Sequence, residues 1–190
     1  MFDSYMDLQY LKFKTVDIAY YVIKNIMSDK YLIWLNSMTT KSEDCYGKLL
    51  KLANDLQINV IVFDYQGKGY SRGFFNNKNS YKSFKTIIKN VDTIAGSKVL
   101  KKKIIFCGEE LGATIIKKYM RHHKYYKCIL INPPEVRLRS LKKKRNKVRV
   151  LSMYTKNIAH NDNKYFKKIN DEEDLVKEFK EFLTSKDNSR

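Results

Sequence analysis

Two hydrophobic periods alternate along this chain. Near the start, "DLQYLKFK" (7–14) and "DIAYYVIKN" (17–25) are rich in aromatic and β-branched residues and predict an antiparallel pair of strands. "KYLIWLNSM" (30–38) reads as a buried strand ending in polar residues. The period then changes: Leu49, Leu50, Ala53 and Leu56 share one face of a helix over 42–57, with Ser42 as the expected N-cap. "INVIVFDYQGKGYSRG" (58–73) is an apolar strand that breaks into a glycine-rich loop. Phe84, Ile87, Ile88 and Val91 predict a helix over 80–96, stopped by Gly96. A strand over 102–107, a glycine turn and a helix over 110–121 follow. The strand in 126–136 ends at Pro133 and Pro134, and 141–147 is a charged connector to a last strand over 148–154. In the closing helix, 170–185, Asn170 is the expected cap and Asp171 to Asp174 oppose the helix dipole. Leu175, Val176, Phe179, Phe182 and Leu183 make its buried stripe.

Strands alternating with helices imply a mostly parallel sheet with helices on both faces. The expected organisation is one α/β domain over 1–190, with N-terminal strands in 1–29, the core in 30–185 and a flexible tail at 186–190. Ligands of such sheets sit at the carboxyl ends of the strands. That singles out the loops 36–40, 64–73, 108–112, 132–140 and 155–163.

Composition narrows the class. With 43% hydrophobic residues and a mean hydropathy of −0.53, the chain can bury a sizeable core, and it has no apolar run long enough to span a bilayer. The start, "MFDSYMDLQ", lacks the basic and apolar regions of a secretion signal. Cys45, Cys107 and Cys128 are unsuited to a disulfide framework or a zinc site. Cys107 and Cys128 read as small core residues, so the expected setting is a reducing cytoplasm, with no metal and no cofactor. The net charge of +18 favours an anionic partner, although lysine far outnumbers arginine, as AT-rich coding also produces.

The order strand, "DYQGKGYSRG", helix, strand, "CGEELGA", helix resembles the α/β-hydrolase superfamily. The first loop is similar to that family's D-x-x-G-x-G-x-S-x-G pattern at Asp64, Gly67, Gly69, Ser71 and Gly73. This loop, the glycine turn and "AHND" (159–162) look most like the depalmitoylating serine hydrolase branch, over roughly 30–184. "GYSRG" also spells G-x-S-x-G. Ser71 lies too far beyond its strand and too far before the next helix for a nucleophile elbow, so a structural role is expected.

The resemblance implies a shortened α/β-hydrolase fold without a lid domain, and it places the nucleophile at Glu110, where the relatives carry serine. Gly108 and Gly112 keep the turn's sterics. Leu111 and Met38 would supply the oxyanion N–H groups, and Asn36 and Ser37 stand where the relatives carry His-Gly. Glu110 is expected to fold back onto the helix N–H groups as a cap. His160 matches the general base, whereas His122 and His123 read as surface residues. Only one strand fits between Pro134 and His160, so one element of the triad-bearing half is expected to be missing. Asn157 stands near the acid's place if 148–154 is the penultimate strand, and Asp162 is too close to His160 to replace the acid.

The expected function is therefore a catalytically inactive protein that acts by binding, as a scaffold or decoy, with protein as the expected partner. A carboxylate-nucleophile hydrolase of esters or thioesters, using Glu110 with His160 as base, is the alternative. A second alternative is electrostatic attachment to acidic membranes or nucleic acid through "RLRSLKKKRNKVR", a run that holds Arg137, Arg139, Lys142, Lys143, Lys144, Arg145, Lys147 and Arg149 and no acid. No stacking motif or zinc module supports specific nucleic-acid recognition.

Overall fold

A computed structural model describes residues 7–124, 126–134, 147–152 and 166–184. Eight strands form one sheet: β1 (Gln9–Phe13), β2 (Val16–Ile23), β3 (Tyr31–Leu35), β4 (Asn59–Phe63), β5 (Ile104–Glu109), β6 (Lys127–Ile131), β7 (Lys147–Ser152) and β8 (Phe166–Lys168). Their order is β1-β2-β4-β3-β5-β6-β7-β8. The first two pairings, β1 with β2 and β2 with β4, are antiparallel, and every later pairing is parallel.

β3 and β4 are buried at every position, so they read as continuous apolar runs rather than alternating ones. Successive side chains feed opposite faces. Ile33, Leu35, Phe63 and Phe106 pack under α2 (Asn77–Lys89), α3 (Val91–Ala95) and α4 (Leu111–Met120). Leu32, Trp34, Val62 and Cys107 pack under α1 (Tyr46–Leu56) and α5 (Glu172–Thr184). An aromatic cluster joins the first layer: Phe84 of α2 meets Phe106 at 5.3 Å and Tyr119 of α4 at 5.1 Å.

Several boundaries differ from the sequence expectation, each for a local reason. The helix expected over 80–96 starts at Asn77, because the Asn76 side chain accepts from the N–H of Asn79 as a true N-cap. It breaks at Asn90, whose side-chain amide donates to the carbonyl of Thr86 and ends the regular ladder. Ser42 does not cap α1, which begins at Tyr46; its N–H donates instead to Asp64. Asn170 does not cap α5. The Asp171 carboxylate accepts from the N–H of Asp174, while Asn170 donates to Asp174 from backbone and side chain.

The largest correction is the last strand. The segment 148–154 is not the end of the sheet: β7 is followed by β8, which pairs parallel to it from Val150↔Phe166 to Ser152↔Lys168. The described residues thus hold one strand more at this end of the sheet than the sequence reading expected.

Burial also sets the alkaline limit of the fold. Desolvation, with Glu109 adding repulsion, pushes the Cys45 thiol up to about 12. The same desolvation raises Cys107 well above a normal thiol and raises Cys128. Tyr21 rises to about 12, by burial first and then by Asp64 and Glu43. In an unfolded chain these groups ionise near about 8.5 for thiols and about 10 for phenols. The native state binds their protons more tightly. Their stabilising contribution is thus complete below about pH 8.5 and declines as pH rises towards the raised native values. The melting temperature is expected to fall steadily between pH 8.5 and 11, and native Cys45 is expected to resist alkylation at pH 8. An unchanged melting temperature across that range would contradict the burial of these groups.

Candidate functional site

The carboxyl ends of β3, β4, β5 and β6 converge on one turn. β5 stops at Glu109, α4 starts at Leu111, and the residue between them, Glu110, has φ 46° and ψ −96°. That conformation lies outside the regions ordinarily open to a residue with a side chain, and such strain concentrates at functional sites. The turn is held from both sides. The N–H of Glu110 donates to the carbonyl of Ile131 at 2.9 Å, and its carbonyl accepts from the N–H of Thr114 at 3.1 Å. Gly108 and Gly112 allow the closeness: a Cβ on Gly108 would lie 2.4 Å from the carbonyl carbon of Gly112, and one on Gly112 would lie 2.3 Å from the carbonyl oxygen of Leu35.

A second strained residue stands next door. Asn132, at the end of β6, has φ 45°, and its N–H donates to the carbonyl of Leu151. Sequence reasoning passed over Asn132. Its only signal was an asparagine, one of the few side-chain residues that tolerate positive φ, at a strand end before proline.

The Glu110 side chain does not behave as expected. It is exposed and makes no capping hydrogen bond to α4. The reason is geometric: a positive φ at the cap swings the side chain outward, away from the first-turn amides. Among the described residues, the N–H groups of Leu111 and Met38 have no acceptor either.

The loop after β3 is ordered without the His-Gly pair. Asn36 is buried; its Oδ1 accepts from the Cys45 thiol at 3.2 Å, its amide reaches Ser42 at 3.4 Å, and its carbonyl accepts from the Tyr65 hydroxyl at 2.9 Å. Ser37 shares its hydroxyl with Thr39 and Thr40 at 3.1 and 2.9 Å. Neither Asn36, Ser37 nor Met38 takes a positive φ, so this loop does not need glycine.

The loop after β4 braces the site from the other side. Asp64 is buried, and its two carboxylate oxygens accept from the N–H groups of Ser42 (2.9 Å) and Tyr70 (3.0 Å). Gly69 lies so close to that carboxylate that a Cβ there would sit 2.1 Å from Oδ2, and Gly67 and Gly73 both take positive φ. The Ser71 hydroxyl donates to the carbonyl of Asp64 and accepts from the N–H of Ala19, both at 2.8 Å. It stitches β2 to the β4 loop and leaves no proton free for chemistry.

Beneath the turn, on the α1 side, Lys48 bonds Glu109 at 2.8 Å and sits 4.8 Å from the Trp34 ring centre. Sequence spacing gave no hint of this pair, whose members are 61 positions apart.

The remaining candidates separate. His160, Asn157, Asp162 and the basic positions Arg137, Arg139, Lys142, Lys143, Lys144 and Arg145 lie outside the described residues. Lys147 begins β7. Arg149 is not available to an external anion: it pairs with Glu178 at 3.5 Å and lies over Phe182. β8 alters the reading of His160, which precedes the last strand instead of following it. After β8 the chain runs Ile169, Asn170, Asp171 into α5, with no histidine. His123 stacks on Tyr119 at 3.7 Å and meets its carbonyl, and His122 is exposed. Among the described residues no cluster of histidine, cysteine and acids is arranged to hold a metal ion.

Several solved structures similar to this chain are described as hydrolases, α/β-hydrolases among them. A protein from Thermoplasma acidophilum described as a predicted CIB-like hydrolase superposes with a TM-score of 0.66 at 13% identity, over 94% of this chain and 98% of its own. An α/β serine hydrolase homologue from Coxiella burnetii gives 0.59 at 16%, over 77% and 73%. The mouse α/β-hydrolase domain-containing protein 10 gives 0.55 at 16%, over 72% and 57%. At these identities the likeness establishes the α/β-hydrolase fold. The chain belongs to the family described as Chlamydia CHLPS protein (DUF818), whose sequence model matches residues 12–127. No curated protein matches it.

Proposed function

We propose that this chain is a catalytically inactive α/β-hydrolase-fold protein that works by binding, as a scaffold or decoy in a reducing cytoplasm. The observation that carries the reading is a glutamate, Glu110, at the apex of the strand-to-helix turn; on the resemblance to the superfamily, that apex corresponds to the serine of the nucleophile elbow. A second support is the sequence between β8 and the end of α5, which contains no histidine to serve as a general base. Without nucleophile and base, an oxyanion site and binding leave about 10³–10⁴-fold over water, against the roughly 10⁶-fold that enzymes usually reach.

One observation favours a second reading, a hydrolase of esters or thioesters with Glu110 as nucleophile and His160 as base. The Glu110 carboxylate is exposed and uncapped, as an attacking group must be. Against it, glutamate reaches one methylene beyond aspartate, and misplacement by about 1 Å costs on the order of 10²-fold.

The test is turnover of short- and long-chain p-nitrophenyl esters and acyl-protein thioesters, together with labelling by a fluorophosphonate. The expected result is no turnover above buffer and no label. Hydrolysis that disappears in Glu110→Ala while folding is retained would establish the second reading and sink the first.

A further inference from the structure

The charge of this protein is not spread evenly over its two helical layers. α2 carries Lys78, Lys82, Lys85 and Lys89, α4 carries Lys117 and Lys118, and neither helix contains an acid. On the opposite layer, α5 carries Glu172, Glu173, Asp174, Glu178 and Glu181 against two lysines. Lys78, Lys82, Lys85, Lys89 and Lys118 have no carboxylate partner among the described residues.

The lysines converge although they repel. α2 and α4 lie side by side on the sheet, joined through Phe84 and Tyr119. Where they meet, the Tyr81 ring is approached by Lys118 at 4.7 Å and by Lys85 at 5.9 Å. A second feature adjoins this face. Phe74, just before α2, is 84% exposed, and its position is fixed: its carbonyl accepts from the Asn79 side chain at 2.9 Å. A large apolar side chain on a bonded loop, four positions before Lys78, is presented rather than stranded.

We propose that the α2–α4 face is a docking surface for an anionic phospholipid bilayer, with the lysines over the headgroups and Phe74 inserted below them. Several features favour lipid over a nucleic-acid polymer. The lysines lie on two adjoining helices that touch through Phe84 and Tyr119, and Lys118 of one reaches Tyr81 of the other. Neither helix carries an arginine, the side chain best suited to base edges or paired phosphates. The aromatic ring of the face, Tyr81, is flanked by ammonium groups instead of open for base stacking. An exposed phenyl gains nothing from phosphate but gains from hydrocarbon. The proposal uses no residue of the 137–149 run and none of the β5–α4 turn, so it holds whether or not that turn is catalytic.

Each lysine near an anionic leaflet is worth about five-fold in partitioning. Sedimentation of the full chain with phosphatidylcholine vesicles containing 30% phosphatidylserine is the test. Binding is expected at low salt, to fall steeply at 0.5 M salt, and to be absent with phosphatidylcholine alone. Lys82→Glu/Lys85→Glu/Lys118→Glu is expected to weaken it about a hundredfold, and Phe74→Ala several-fold. Lys51→Glu/Lys177→Glu/Lys180→Glu makes the same change in net charge on the other layer and is expected to leave binding within about threefold, from loss of long-range attraction alone. The arginine version, Lys82→Arg/Lys85→Arg/Lys118→Arg, is expected to retain binding, which separates charge from misfolding. Equal losses in the two glutamate triples would overturn the proposal. So would loss confined to neutralisation of 142–145, or tighter binding of the same face to an RNA or DNA oligonucleotide at equal salt.

Discussion

Gly112→Ala is expected to destabilise the protein by about 3 kcal/mol, at the upper end for a methyl forced into a packed interior. The added Cβ would sit 2.3 Å from the carbonyl oxygen of Leu35 and 2.8 Å from its carbonyl carbon. Both are backbone atoms of β3, a central strand bonded on each side to β4 and β5, so neither can rotate away as a side chain would. Relief requires α4 to lift from the sheet, which loosens the contacts of Ile115, Ile116 and Met120 with the core. Urea unfolding measures the loss. Gly47→Ala is the matched control: it sits in α1, its added methyl meets nothing within 4 Å, and helix propensity alone favours alanine by up to about 1 kcal/mol. Equal unfolding midpoints for the two variants would show that α4 does not approach β3 this closely.

Asp64→Ala is expected to cost a similar amount, again about 3 kcal/mol, through polar desolvation instead of overlap. Removing the carboxylate leaves the Ser42 N–H without its acceptor at a fully buried position, while the half-exposed Tyr70 N–H can turn to water. The damage then spreads along a defined route. Ser42 also holds Asn36, and Asn36 holds the loop that carries Met38. Asp64→Asn keeps the shape but offers only one accepting oxygen for two donors, so it is expected to fall between alanine and the parent. Chemical denaturation gives the stability. Amide exchange at Ser42 and Met38 is expected to accelerate ahead of global unfolding, and a uniform change across the domain would contradict this coupling.

These two residues also mark what was legible in advance. Asp64, Gly67, Gly69 and Gly73 were visible because a tight loop around a buried carboxylate admits few residue types at fixed spacing. The β5–α4 turn was visible because a strand, two glycines and an amphipathic helix leave one way to connect. β8 was not visible. At three residues, Phe166–Lys168, it is too short to show a period, and its pairing with β7 is decided by the neighbouring strand instead of by its own sequence. That omission misplaced His160 relative to the end of the sheet. The direction of the Glu110 side chain was equally hidden. Sequence says that a carboxylate precedes a helix, but only the backbone angle says that it points away from the helix amides. The Lys48–Glu109 pair belongs to the same class, since contact between residues so far apart depends on how α1 lies over the sheet.

Among the described residues, the sheet's two outermost strands have a consequence for solubility. One is β1, five residues long with Lys12 exposed; the other is β8, three residues long with Lys168 exposed. A lateral neighbour would find few unpaired amides to extend and a fixed positive charge in the way at each side. Fibre growth by edge-to-edge addition is therefore discouraged at both ends of the ladder, in a protein whose central strands are almost wholly apolar.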